Sequence, residues 1–229
     1  FDTVARVTSV ELSVPATSTF KLVLALDCCV PLSPCEAVST LSLLPNAVVT
    51  VEEKVIRDLA YCVKRCDLEL AGVASSSYTA GISSLVEDEQ ELGAACIDIG
   101  GGSTGVSIFL KKHMIYCDSV RLGGDHVTRD ISMGLQVPEA TAERIKTRSG
   151  GLLATGMDDR DMIEVGGDTG DWEHDRRSVS RTELIGIMRP RVEEIIEEVR
   201  AHLDAAGFDH LPSQQIVLTG GSSQIPGLD

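Results

Sequence analysis

Asp98, three consecutive glycines at 100 to 102, Ser103 and Thr104 stand between two apolar runs, Ala95 to Ile99 and Val106 to Phe109. An apolar run broken by Gly-Gly-Gly and resumed at once reads as a β-hairpin with a tip of bare backbone. Bare amides flanked by hydroxyls suit a polyphosphate, because glycine lets the chain approach closely and takes up φ > 0 without steric cost. Asp98, at the end of the first strand, is placed to orient a hydrated Mg²⁺, an ion that keeps its waters and takes one or two carboxylates. Ordinary hairpins also close on glycines, so the triplet alone reads either way. A second loop of the same kind, Thr219-Gly220-Gly221-Ser222-Ser223 after the apolar run Ile216 to Leu218, points to one ligand gripped from two sides.

The elements that must carry these loops are legible from Val51 onward. Val55, Leu59, Cys62, Val63 and Cys66 recur at helical spacing with charged residues between them, which predicts an amphipathic helix. A short strand follows at Leu70 to Ala74, with Ser75 to Ser77 as break and cap. A second helix is expected through Ile82, Leu85 and Val86 into the acidic run Glu87 to Glu91, ending at Gly93. The acidic run reads as a solvated helix face rather than a metal site. Ile115 to Leu122 alternates as a third strand, and Gly123-Gly124 turns it into a helix. Strands joined by tight turns and then helices describe an α/β domain with a partly antiparallel mixed sheet flanked by helices. No Gly-x-Gly-x-x-Gly opens a helix and no Walker Gly-Lys-Ser is present, which disfavours those two nucleotide folds.

The 229 residues carry 43% hydrophobic side chains, enough for a real core. The net charge of -15 argues against nucleic acid and against docking on anionic lipid. No segment reaches the roughly eighteen uninterrupted apolar residues of a membrane span. The run from Phe20 to Val30 is broken by Lys21 and Asp27 and lacks the marks of a secretory leader. Seven scattered cysteines read as reduced thiols of a cytosolic protein. Cys62 and Cys66 share a helix face at metal-ligand spacing, but with no His or third Cys nearby core packing is expected. Residues 1 to 47 show only vague alternation, at Thr8 to Val14 and Thr19 to Leu26, read as strands.

Order and spacing then become specific. The hairpin Ile97 to Thr104, the turn Gly123-Gly124 with Val127 to Ile131, the helix Ala142-Glu143-Arg144-Ile145-Lys146 and the loop Leu218 to Ser222 resemble the second half of the actin/Hsp70/sugar-kinase ATPase superfamily, of ribonuclease H-like build. Within it, Tyr61 to Leu68, Leu85 to Gly93 and Val217 to Gly227 are most similar to the bacterial cell-division FtsA family, a likeness running from about Val48 to Leu228. The resemblance implies an ATP-binding, Mg-dependent, actin-like fold. It implies a protein that self-associates into filaments, binds the C-terminal peptide of the tubulin-like FtsZ and links the division ring to the cytoplasmic face of the inner membrane. Carried over by motif, Asp98 stands near Mg²⁺, and Gly100, Gly101, Gly102, Ser103 and Thr104 hold the β- and γ-phosphates. Gly123 lies near the cleft, Glu143 and Lys146 near ribose and adenine, and Gly220, Gly221 and Ser222 against the adenosine. Without the family context, a Glu/Lys pair three residues apart is by default a surface salt bridge.

The same comparison divides the chain. Residues 1–47 match poorly, 48–93 end the first half, 94–127 and 209–229 form the nucleotide-binding subdomain, and 128–208 form an inserted, partner-binding subdomain. The centre of the insert, Met157 to Asp175, is acidic and glycine-rich with a lone Trp172 and reads as an exposed loop or a poorly packed hairpin, the solvated loop being favoured. Beyond it, Leu184 to Leu203 keeps helical spacing, with Pro190 expected to kink the helix or mark its restart. Arg177, Arg181, Arg189 and Arg191 form a basic face for an acidic peptide, with Arg181 and Arg191 as the candidate partner contacts. The family's first phosphate hairpin and its C-terminal membrane helix are not found, so a fragment that binds ATP weakly and hydrolyses it negligibly is expected. A pilus-assembly scaffold of the same build, or a sugar kinase or exopolyphosphatase, is the alternative.

Overall fold

The computed structural model describes residues 22–26, 38–39, 51–153, 161–165 and 177–228. These fall into two compact units, one within 1–98, 105–120 and 202–219, the other within 99–104, 121–201 and 220–229. The strand expected at Thr8 to Val14 lies outside the described residues.

The first unit is built on a four-stranded sheet in the order β10-β5-β6-β7. Its strands are β5 (Ala94–Ile99), β6 (Thr104–Leu110), β7 (His113–Val120) and β10 (Gln215–Thr219). The links from β5 to β6 and from β6 to β7 are too short for a crossover, so these pairs are antiparallel. By contrast β10 runs parallel to β5, from Gln215 opposite Ala94 to Thr219 opposite Asp98. The sheet is therefore mixed, as the strand pattern predicts. Lys111 and Lys112, at φ 52° and 62°, form the two-residue turn whose left-handed backbone suits a tight hairpin. Their amides donate to the Glu91 and Gln90 carbonyls, and the Lys112 ammonium pairs with Glu87 at 3.0 Å. The third strand starts at His113 rather than Ile115, because the Lys-Lys turn, invisible to an apolar-polar pattern, already reverses the chain.

Ahead of this sheet, β1 (Leu22–Leu26) pairs in parallel with β4 (Leu70–Ser75), and short β2 (Val38–Ser39) pairs antiparallel with β3 (Val51–Glu52). Between them lies α1 (Glu53–Lys64), which buries Val63 against Leu70 and Val73. Cys62 and Cys66 are exposed, correcting the expectation that they pack in the core: Val63 takes the buried position instead.

The single helix expected from Ile82 to Gly93 is two, α2 (Ser76–Ser84) and α3 (Glu87–Leu92), separated by extended Leu85 and Val86. Leu85 drops into the core with Cys96, Phe109, Met114 and Cys117, which the straight course of one helix would not allow. The α3 start is fixed by the Val86 amide donating to the Glu89 carboxylate at 2.9 Å, with three acids on the positive pole of the first turn. A Cβ on Gly81 would stand 2.2 Å from the Phe109 ring, so glycine there lets α2 lie close on β6.

The second unit packs α4 (Gly124–Leu135), α5 (Glu139–Ser149) and most of α6 (Arg181–Ala205) beside the hairpin β8 (Met162–Val165) and β9 (Arg177–Ser180). Val127, Ile131 and Leu135, one turn apart, form the buried stripe of α4, and Leu184, Met188, Val192 and Ile195 that of α6. Met162 to Val165 is a hairpin strand rather than the favoured solvated loop, because Val165 is buried and its register places Ile163 opposite Val179. The rest of the acidic stretch, Trp172 included, lies outside the described residues. Pro190 neither ends nor restarts α6.

Candidate functional site

The second unit brings together Gly100 to Thr104, the turn at Gly123, helices α4 and α5, and the Gly220 to Ser222 loop. Backbone bonds lock the two turns: the Gly124 amide donates to the Gly100 carbonyl and the Asp125 amide to the Gly101 carbonyl, both at 2.9 Å. A Cβ on Gly123 would lie 2.5 Å from the Gly101 oxygen and 2.7 Å from the Gly100 oxygen, so only glycine fits. None of Gly100, Gly101 or Gly102 has positive φ. Gly100 and Gly101 serve close approach, not the left-handed conformation the sequence suggested. The Gly101 site faces the Asp125 carboxylate at 2.9 Å, while at Gly102 a Cβ would meet nothing. The tip of the hairpin is thus open backbone.

Thr104 is fully buried, and its hydroxyl donates to the Leu122 carbonyl at 2.8 Å. Its hydroxyl therefore ties the start of β6 to the segment that leads into Gly123. Ser103 is half-buried and closes the hairpin by accepting the Gly100 amide at 3.0 Å. Gly220 adopts φ 89°, which glycine alone takes without strain, and delivers the buried Ser222 hydroxyl to the Gly100 carbonyl at 3.3 Å. Gly221 is exposed, with open space where a Cβ would be.

Lys146 is not the surface half of an ion pair; only 8% of it is exposed. From α5 its ammonium donates to the Gly124 carbonyl at 3.0 Å and the Thr128 hydroxyl at 2.8 Å, and pairs with Glu143 at 2.7 Å. The Thr128 hydroxyl in turn donates to Glu143. Partial burial pushes the Glu143 carboxyl up, but hydrogen bonds from Lys146 and Thr128 and the ammonium charge outweigh it and hold it below the ordinary carboxylate range. Packing is tight here: a Cβ on Gly124 would fall 2.1 Å from the Ser222 hydroxyl and 3.3 Å from the Lys146 nitrogen.

Sequence reasoning missed Thr128, Asp125 and His126 as parts of this arrangement. The Gly123 amide donates to the His126 imidazole Nδ1 at 3.2 Å, anchoring the start of α4. The signal for Thr128 was its place one turn after Gly124, a hydroxyl beside the apolar stripe of Val127 and Ile131. Asp98 belongs to the first unit, half-buried near the end of β5 and opposite Thr219. Arg181 and Arg191 are engaged: Arg181 with Asp161 at 3.3 Å, Arg191 with Asp130 through two nitrogens at 2.6 and 3.2 Å and also with Glu194. Arg189 pairs with Glu193 at 2.7 Å, so three of the four arginines of the expected basic face already hold carboxylates. Among the described residues no three His, Cys, Asp or Glu side chains cluster as a metal cage, and no helix is long and apolar enough to cross a membrane.

The family model described as cell division protein FtsA matches residues 95–229, more than half of the chain and all of the second unit's loops. The chain belongs to the FtsA family. Among curated FtsA proteins, that of Agrobacterium fabrum is 42% identical over 79% of this chain and 41% of its own length. The Bacillus subtilis FtsA is 34% identical over 80% and 41%. The chain thus spans about two fifths of the FtsA relatives it matches. Solved structures share the fold: MreB5 of Spiroplasma citri bound to ADP at TM-score 0.64, 21% identity, covering 78% of this chain and 57% of that one. A MamK double helical filament aligns at TM-score 0.58, 15% identity, covering 78% and 55%. The FtsA-family chain therefore has an actin-like α/β fold.

Proposed function

We propose that this chain carries half of an FtsA-type ATP site and serves in cell division as part of an actin-like scaffold. The observation that carries the reading is the convergence, in one unit, of a bare glycine hairpin, a second glycine loop and the buried Lys146 with Glu143 and Thr128. These residues fit a nucleotide. Gly101, Gly102 and Ser103 would hold phosphate oxygens with backbone amides, and Gly221 leaves room for a flat group beside it. Glu143, partly exposed and kept ionised, would accept a ribose hydroxyl, with Lys146 fixing its position. Mg²⁺, which completes its shell with phosphate oxygens and waters, would supply charge neutralisation when bound. The structure of MreB5 bound to ADP supports nucleotide use by proteins of this fold.

On this reading residues 48–93 close the first half, 94–127 and 209–229 form the nucleotide subdomain, and 128–208 the inserted subdomain that receives the FtsZ tail. The parent protein would form filaments and tether FtsZ to the inner membrane from the cytoplasmic side. Arg181 is the better partner contact, because Arg191 is committed to Asp130. The decisive variant for the ATP site is Gly102→Val. With open space at that position, its stability stays within about 0.5 kcal/mol of the parent, while ATP binding by saturation-transfer NMR is lost. Unchanged ATP binding in a folded Gly102→Val chain would contradict the site.

A further inference from the structure

We propose that His126 positions the Gly123 turn for nucleotide only while its imidazole is neutral, so that ATP binding at this site weakens as the pH falls through the range in which a histidine titrates. The inference rests on the ATP reading above and adds a positioning residue with a proton switch. His126 holds both sides of Gly123: its Nδ1 accepts the Gly123 amide at 3.2 Å, and its own amide donates to the Gly123 carbonyl at 3.0 Å. This reciprocal pair is a capping box in which an imidazole fills the place usual for Glu or Gln. The turn it holds is part of the site. A Cβ on Gly123 would lie 2.5 and 2.7 Å from the Gly101 and Gly100 oxygens, and the amides of Gly124 and Asp125 donate to the Gly100 and Gly101 carbonyls at 2.9 Å. A shift of Gly123 therefore moves the backbone of the glycine hairpin.

A backbone amide can only donate, so this bond fixes the ring as the neutral tautomer, with its proton on Nε2 and a lone pair on Nδ1. The imidazolium carries protons on both nitrogens and has nothing with which to accept. It also puts a cation in the first turn of α4, at the positive pole of the helix. The bond and a second ring proton thus exclude each other. Charges on the elements packed against α4 are held in pairs: Glu143 with Lys146 on α5, Arg129 with Glu139, and Asp130 with Arg191 of α6. Asp125, just before His126, favours the imidazolium, while Arg121, ahead of the turn, opposes it. Glu143 is held below its ordinary 4.5 and stays ionised across the histidine range. A role of His126 in starting α4 alone would leave nucleotide affinity indifferent to its protonation.

The test is ATP affinity of the whole 229-residue chain in MgCl₂, by NMR titration at about pH 7.5 and about pH 5.5, for wild type, His126→Gln and His126→Ala. Glutamine keeps an acceptor and gains no proton, and the terminal phosphate of ATP, which also titrates in this range, acts on both proteins alike. From the higher pH to the lower, wild type should lose about threefold or more in affinity beyond any change in His126→Gln. His126→Ala, with no acceptor at either pH, should bind weakly at both. In the ligand-free wild type the ¹⁵N amide signals of Gly123, Gly124 and Asp125 should move together as the imidazole titrates, and in His126→Gln they should stay in place. Equal pH dependence in wild type and His126→Gln overturns the inference and leaves the ATP site standing. If the glutamine variant fails to fold, wild-type amide signals that stay fixed overturn it in the same way. Absence of wild-type binding at both pH values overturns the ATP reading and this inference together.

Discussion

Lys146 shows what a residue type and spacing leave open. A Glu/Lys pair three apart on a helix is a surface bridge unless something covers it, and here Gly124 and Thr128 of α4 do so, leaving 8% of the lysine exposed. The consequence is a pH effect with a defined sign. Glu143 is held below its ordinary 4.5, so its ionised form favours the folded state. That contribution is complete above the ordinary value and disappears as pH falls through the lower folded-state pKa. Urea midpoints measured from about pH 6 down to pH 3 should fall less steeply in Glu143→Gln than in the parent. Equal slopes would contradict the coupling. The thiols divide along the same line of burial: Cys96 is pushed up to about 11 by burial and the Asp98 charge, and buried Cys117 is also raised, while Cys62 and Cys66 face solvent.

At the scale of elements, the glycine hairpin and the strand at Leu70 to Ala74 were readable because each has a clear local pattern or an unmistakable turn, while the helix carrying Glu143 and Lys146 was placed by the family resemblance. What was not readable depends on contacts distant in sequence. The split between α2 and α3 follows from Leu85 entering a core made by β5, β6 and β7. The Lys111-Lys112 turn has neither glycine nor asparagine, and α6 runs through Pro190 without ending. The bidentate clamp of Arg191 on Asp130, which ties α6 to α4, looked from sequence like a free basic face. Because the pair is largely shielded, Arg191→Ala should lower stability by about 1–3 kcal/mol, and a double-mutant cycle with Asp130→Ala should recover part of the loss. A loss within about 0.5 kcal/mol would return Arg191 to the list of partner contacts.

For the molecule as a whole, family membership rests on the stretch from residue 95 onward, where the motifs lie in the order the ATPase superfamily uses. The mixed sheet β10-β5-β6-β7 places both glycine loops at strand ends, since β5 leads into Gly100 and its parallel neighbour β10 leads into Gly220. That arrangement joins two loops more than a hundred residues apart in sequence, and it was legible as spacing before it was visible as topology. Residues 1–47 offered no comparable order, having few charges and no strong period from which to place an element.

The most direct measurement is a ¹⁵N NMR titration of the chain with ATP and Mg²⁺. The account predicts that the amides of Gly101, Gly102, Ser103 and Gly221 shift together with those of Thr128 and Lys146. Shifts that spare the Gly101 to Ser103 amides, whether gathered elsewhere or absent, would contradict it.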